Sequence, residues 1–380
     1  MELKEYRFDE VTINFDKKRV PLSGAQREKR QGKYRYYGAQ GVIDHIDDYI
    51  FEGTYLLIAE DGENLKSKKQ NIAQVVEGQF WVNNHAHIVQ GNELCDTRYL
   101  CYLLNSMDLS GYVTGSAQPK LSQANLNAVT LFLPPISIQK KIVEYLYMFD
   151  KKIAVNQQIN DNLEQQAHSY FQELFVDNAD PEWTTGTISD LGAVVGGSTP
   201  SKAKPEYYTE SGIAWITPKD LSVNKSKFIS HGENDITELG LKNSSASIMP
   251  EGTVLFSSRA PIGYIAIAAG EVTTNQGFKS VIPKSEIGTP FVYFFLKHNL
   301  PVIEGMASGS TFKEVSGSTM KNIPAVIPDA ETLARFNDFC APIFVQQRIL
   351  EEQSQSLAAL RDNLLPKLMS GEIDVSDIQL

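Results

Sequence analysis

The sequence predicts an α+β chain: two mixed, β-rich globular domains joined by two long antiparallel helices that pair as a coiled coil, in a pseudo-twofold internal repeat. Three observations predict it. Between Ser137 and Phe175 the residues Ile142, Leu146, Phe149, Ile153, Asn156, Asn160, Leu163, Ala167, Tyr170 and Leu174 follow one another at spacings of 4 and 3, the seam of a coiled coil. Adding 194 to each number gives Phe336, Cys340, Ile343, Gln347, Leu350, Ser354, Leu357, Arg361, Leu364 and Leu368, a second seam in the same register. Before each seam lie short apolar runs broken by Gly, Pro and Asp-Gly turn signals, the pattern of β-rich domains. The resulting boundaries are 1–136 for the first domain, 137–178 for the first helix, 179–327 for the second domain and 328–380 for the second helix.

The first domain opens with an alternating run (Val11, Ile13, Phe15) and continues into the basic cluster Lys17-Lys18-Arg19 and Arg27-Glu28-Lys29-Arg30. In Gly32-Lys33-Tyr34-Arg35-Tyr36-Tyr37-Gly38-Ala39-Gln40-Gly41 cations and aromatics interleave between glycines, a composition that offers phosphate contacts and stacking faces in one place. A solvated hairpin with tyrosines as β-formers explains the same residues, and both readings stay open. Strands are expected at Gly53–Ile58, Ile72–Val76 and Phe80–Val89, and a helix at Asp96–Asn105. Pro134-Pro135 closes the domain, with Ser137 as the helix cap. The second domain restarts near Pro181-Glu182-Trp183, carries the basic loop Gly196–Lys202, and repeats the first at scattered points: Phe291–Leu296 answers Tyr99–Leu104, Ser316 answers Ser122, and Ile327-Pro328 answers Leu133-Pro134. Polar seam residues cost stability and fix register, and Pro366 is expected to kink or end the second helix.

The 380 residues, 42% of them apolar, suffice for two cores. With no long apolar run and no apolar core after Met1-Glu2-Leu3-Lys4-Glu5, neither export nor membrane insertion is expected, and Cys95, Cys101 and Cys340 lack pairing or metal spacing, which suits a reducing cytoplasm. A net charge of -11 argues at first against a nucleic-acid partner, but the charge is segregated. The helical segments are acidic, whereas Lys17 to Arg35 holds eight basic residues against the single acid Glu28. About 38 helical residues span roughly 57 Å, a spacer long enough to bridge the turn of about 34 Å that separates half-sites on B-DNA.

Catalytic signatures are missing. There is no Walker loop, no dinucleotide-type glycine run, and Leu133-Pro134-Pro135-Ile136 is not the Asn/Asp-Pro-Pro-aromatic motif of aminomethyltransferases. His85 and His87 would share a strand face, but without a Cys or carboxylate at ligand spacing they read as polar surface histidines rather than metal ligands.

The arrangement resembles the DNA-specificity (S) subunits of type I restriction-modification systems. The resemblance rests on the duplicated order of domain then helix, on Tyr36–Gly41 with Asp48-Tyr49, on Thr274-Asn275-Gln276-Gly277, on both helix entries, and on the ending Leu365-Pro366-Lys367-Leu368-Met369-Ser370-Gly371-Glu372-Ile373. It implies that each domain is a target-recognition domain reading one half of a bipartite, asymmetric double-stranded DNA site. It also implies that the helices set the spacing and dock two methyltransferase (modification) subunits, and that restriction subunits join the complex. S-adenosylmethionine, ATP and Mg would then belong to the partner subunits, leaving this chain a non-catalytic specificity subunit. Two departures stand out: the first domain has no match to Trp183, and Asp329 replaces Pro135 at the second helix entry, so the helix start is expected to differ.

On this reading the phosphate contacts come from Lys17, Lys18, Arg19, Arg27, Lys29, Arg30, Lys33 and Arg35 in the first domain and from Lys202, Lys204, Lys219, Lys225, Lys227 and Arg259 in the second. Gln40, Asn84, Asn275 and Gln276 are the candidates for reading bases, and no residue is assigned to catalysis or metal. The helix-pair interface is assigned to Ile142, Leu146, Phe149, Ile153, Leu163, Tyr170, Phe336, Ile343, Leu350, Leu357 and Leu364. Two rival classes remain: a coiled-coil adaptor that never touches DNA, and a self-contained DNA-modifying enzyme with an unrecognised motif.

Overall fold

A computed structural model describes residues 2–67, 70–115, 118–309 and 313–375, so Met1 and the tail 376–380 assigned to the terminal segments lie outside the described residues. The chain divides into two compact units, Met1–Ile153 with Ser356–Leu380, and Ala154–Gln355, and each contains a segment of both long helices. Those helices run Ile136–Gln172, extended by a π-turn at Glu173–Asp177, and Ala330–Ser370.

In the first unit a six-stranded sheet runs in the order Thr12–Asn14, Ala86–Gly91, Phe51–Ala59, Ala73–Val82, Gln31–Gly38, Gly41–Ile46 among the described residues. Neighbours are antiparallel except Gln31–Gly38 beside Ala73–Val82, which is parallel. Alternation along Phe51–Ala59 sorts the core: Leu56 and Ile58 join the cluster with Tyr99, Leu100, Ile142 and Leu146, while Leu57 packs with Phe51, Phe80 and Ile88. One strand, Ala73–Val82, joins the expected Ile72–Val76 to the start of the expected Phe80–Val89, whose remainder belongs to the separate strand Ala86–Gly91. The pairing runs unbroken through Gly53 opposite Gly78, whose φ angles of 127° and 87° no other residue adopts easily, so these glycines bend a strand pair instead of ending it.

In the second unit the described strands form a five-stranded sheet (Gly192–Gly196, Lys279–Pro283, Val254–Ser258, Ile262–Ala268, Phe228–Ile229) and a four-stranded one (Tyr208–Thr209, Asn234–Ile236, Ile213–Ile216, Thr273–Thr274). The core gathers Phe171, Phe256, Phe291, Phe294 and Phe336, all nearly inaccessible to solvent.

The repeat survives at the level of elements. Thr130–Leu133 pairs with Lys4–Arg7, and Pro324–Ile327 pairs with Thr184–Thr187, so each domain leaves through an antiparallel two-stranded ladder before its long helix. Ser122 and Ser316 each cap a five-residue helix by accepting from the backbone N–H three residues on. Both long helices start at equivalent positions, Ile136 and Ala330, so the expected difference in start is absent. Asp329 achieves this by accepting from the Thr332 N–H at 2.8 Å, whereas in the first helix the N–H groups of Ile138 and Gln139 bond the Pro135 carbonyl, which puts Ser137 inside the first turn rather than at the cap.

None of the twenty seam residues is exposed; twelve are buried and eight are half-buried. Within the first unit Arg361 meets Asp150 and Lys141 meets Val375; within the second, Asn156 meets Ser354, Asn160 meets Gln347 and Tyr170 meets Phe336. Rising numbers on one helix face falling numbers on the other, so the segments are antiparallel. The second helix continues through Pro366 instead of ending there, and also through Pro342. Both prolines lie on the exposed face, while Leu368 holds the helix from its buried side. No helix among the described residues is long and apolar enough to cross a membrane.

Candidate nucleic-acid interface

The second domain concentrates the predicted residues. Lys202, Lys219, Arg259, Asn275 and Gln276 line one cleft of about 460 Å³, with Thr199, Trp215, Thr217, Asp220, Glu233 and Asn234 beside them. The cleft is built by close approach of two loops. Gly197 lies so near that an added Cβ would stand 2.0 Å from the Asn275 carbonyl, the Ser198 N–H donates to the Thr274 carbonyl at 2.8 Å, and the Trp215 indole donates to the Ser198 carbonyl at 3.0 Å. The Thr199 hydroxyl donates to the Gln276 side-chain oxygen, and Asn275 turns its own oxygen back to the Gly277 N–H at 2.8 Å. Gln276 is therefore presented from a fixed base with its amide directed by Thr199, the kind of support a base-reading amide needs.

Charge in the cleft is mixed. Lys219 is held by Glu233, and Arg259 stands 3.6 Å from Glu314, whereas Lys202 is exposed. Outside the cleft, Lys204 pairs with Glu206 and Lys225 lies 4.6 Å over the Tyr264 ring. Lys227 does not fit a phosphate contact. It is 8% exposed, its ammonium sits 3.4 Å from the Phe344 ring centre and bonds Glu164 and Gln347, and burial pulls its pKa down to about 8. Its position two residues after Lys225 hid this, because the chain dives from the surface into the strand Phe228–Ile229.

In the first domain the basic cluster splits into two kinds of residue. Arg19 reaches Asp16 and Glu60, Arg27 reaches Asp44, and Arg30 reaches Asp47 and Asp48, so these three guanidiniums hold the loop together. Lys17, Lys18, Lys29, Lys33 and Arg35 are exposed, with no carboxylate partner among the described residues. The aromatics are less available than their spacing implied: Tyr36 and Tyr37 are buried, with Arg27 over the first ring and Arg35 over the second. Gln40 and Asn84 are both exposed; the Gln40 amide touches Asn64 at 3.4 Å, and the Asn84 carbonyl faces Arg19.

His85 and His87 do not share a face, because His85 lies in the turn with Asn84 that separates the strand ending at Val82 from the one beginning at Ala86. His85 is exposed beside Asp61. His87 is 1% exposed, bonding Asp16 through Nδ1 at 2.6 Å and the Leu121 carbonyl through Nε2 at 2.9 Å. Burial disfavours its charged form, but these two acceptors outweigh that and raise its pKa. Asp16 is held below the usual carboxylate range in spite of burial, by His87, the Ile88 N–H and Arg19. The pair anchors the start of the basic loop to the sheet.

Sequence reasoning missed the two tryptophans that fix the loops. Trp81 donates to the Val20 carbonyl at 2.6 Å as Trp215 does to Ser198, and each lies in a strand paired parallel to a neighbour. A lone tryptophan among short strands beside a basic loop was the available signal.

A duplicated α+β chain whose repeats each end in a long helix, with polar and basic loops pinned at the domain surface, is a two-headed recognition protein. The family model for the type I restriction modification DNA specificity domain matches residues 2–165 and again 181–367, and the chain belongs to that family. It is 40% identical over 191 residues to the type I restriction enzyme MjaIX specificity subunit of Methanocaldococcus jannaschii, a match spanning 48% of this chain and 44% of that protein, so less than half of the relative is covered. It is 24% identical to the type I restriction enzyme HindI specificity subunit of Haemophilus influenzae across 84% of each. Among solved structures, the S subunit of a type I restriction-modification system from M. genitalium covers 97% of this chain and 96% of its own at 15% identity, with a TM-score of 0.58, so the fold is shared.

Proposed function

We propose that this chain is the sequence-specific DNA-recognition subunit of a type I restriction-modification complex. Each globular domain reads one half of a bipartite, asymmetric site on double-stranded DNA, and the helix pair sets the spacing. The observation that carries the reading is the convergence of Lys202, Lys219, Arg259, Asn275 and Gln276 on one cleft: cations for phosphate and amides for base edges in a single concavity. The exposed faces of the helices dock two methyltransferase subunits, with restriction subunits completing the assembly in the cytoplasm. Chemistry belongs to those partners, which supply S-adenosylmethionine, ATP and Mg, and this chain is non-catalytic.

Mapping methylated bases in cells that express the complex tests this directly. Expected are two short motifs at constant spacing, with Gln276→Ala relaxing one motif and leaving the other intact. A single continuous motif, or methylation that persists without this chain, overturns the reading. Inserting one heptad at equivalent points of both helices should change the preferred spacing.

A further inference from the structure

Away from the cleft, the second unit contains an ionic cluster, built on the buried Lys227, that no DNA contact explains. Glu164, on the first long helix, receives the Lys227 ammonium at 2.8 Å, the Lys297 ammonium at 2.6 Å and the Tyr293 hydroxyl at 3.1 Å. Gln347, on the second long helix, accepts from Lys227 at 2.9 Å. Glu351, one turn further on, accepts from the backbone N–H groups of Lys227 and Phe228 at 2.8 and 3.0 Å. Lys227 and Phe228 belong to the globular domain, as do Tyr293 and Lys297 on the helix Thr289–His298, so Glu164 on the first long helix grips two separate parts of the domain and Glu351 on the second grips one of them.

A buried pair of this kind adds little stability compared with apolar packing of the same volume. It does discriminate between geometries. An apolar contact tolerates sliding by an ångström or rotation by several degrees, whereas a buried ammonium that loses its carboxylate is left charged in an apolar cage. Here the cage is Phe344, Tyr293 and Phe294, with Lys227 3.4 to 5.3 Å from their ring centres. The first unit has a comparable joint: Asp150 on the first helix accepts from Tyr102 of the globular domain and from Arg361 of the second helix.

We infer that Glu164, gripping Lys227, Lys297 and Tyr293, is a positioning residue that fixes the second recognition domain on its helix segments and so determines how strictly the half-site spacing is enforced. The inference rests on the DNA-reading function proposed above. A rigidly mounted domain can accept a wrong spacing only if the DNA bends or twists to meet it; a loosened mount absorbs the mismatch instead.

The test uses the assembled complex of this chain with its methyltransferase subunits and a DNA library with fixed half-sites and spacers of varied length. Spacing discrimination is the binding ratio between the preferred spacer and one a base pair longer or shorter. Glu164→Gln should lower that ratio about fivefold or more while the half-site sequences stay the same. Tyr293→Phe, which removes one hydroxyl and leaves the ion pairs, is the variant that keeps its fold, and it should lower the ratio in the same direction. Lys297→Ala should relax spacing, and Lys297→Arg should restore it. Wild-type discrimination retained in both Glu164→Gln and Tyr293→Phe overturns the inference, as does loss of the second half-site sequence without any relaxation of spacing. If the wild-type complex selects no bipartite site at all, the functional proposal itself fails.

Discussion

The indole N–H of Trp81 donates to the carbonyl of Val20 at 2.6 Å, so a strand of the first domain holds the loop that carries Lys17, Lys18 and Arg19. Trp215 does the same for the loop of Ser198 and Lys202. Replacing either by Phe keeps an aromatic side chain but removes the indole N–H, so the loop loses a hydrogen bond worth about 0.5–1.5 kcal/mol. Trp81→Phe should weaken binding to DNA carrying the first half-site, and Trp215→Phe to DNA carrying the second, each by fluorescence anisotropy. Equal loss on both half-sites from one variant would contradict the assignment.

The basic cluster should divide by function. Lys17→Ala with Lys29→Ala and Lys33→Ala should leave thermal unfolding unchanged and flatten the dependence of log affinity on log salt by about 2 to 3. Arg27→Ala removes a guanidinium that bonds Asp44 and the Leu22 carbonyl, and should lower the melting temperature instead. A triple lysine variant with an unaltered salt slope would remove these residues from the interface.

The Asp16–His87 pair predicts a bounded pH window. The His87 pKa is raised, so its stabilisation is complete below the ordinary value of 6.5 and fades as pH rises through the folded value. That of Asp16 is lowered, so its contribution is complete above the ordinary 3.8 and fades as pH falls through the folded value. The stability gap between wild type and His87→Gln, followed by denaturant unfolding, should be greatest between those values and narrow toward alkaline pH. A gap independent of pH would show that the imidazole is held neutral.

Phe336 packs fully buried among Tyr170, Phe171, Phe175 and Phe294. Phe336→Ala should cost about 3–5 kcal/mol in denaturant unfolding, while Val345→Ala on the exposed side of the same helix should cost little. Comparable losses would mean that the exposed side is packed against something.

The helices were legible because a coiled-coil seam is written in one dimension: burial at Ile142 and Leu368 follows from spacing alone. The ladder strands and the Ser122 and Ser316 caps were half legible, since their chemistry is local but their pairing is not. Of the candidate residues, Asn275, Gln276 and Lys202 fell in loops that the fold brings to one cleft, a convergence that spacing in the sequence does not show. Lys227 and Tyr36 misled, because composition reports what a side chain can do and only tertiary packing decides whether solvent reaches it. His87 failed for the same reason, its strand being separated from that of Trp81 by a turn that no periodicity marks.

The paired ladders have an evolutionary corollary. Each recognition body enters the scaffold and departs from it across four residue pairs, Lys4–Arg7 against Thr130–Leu133 and Thr184–Thr187 against Pro324–Ile327. Whatever is threaded between those strands meets the same doorway, so recombination within them would exchange a whole cassette and leave the coiled coil's heptad phase untouched.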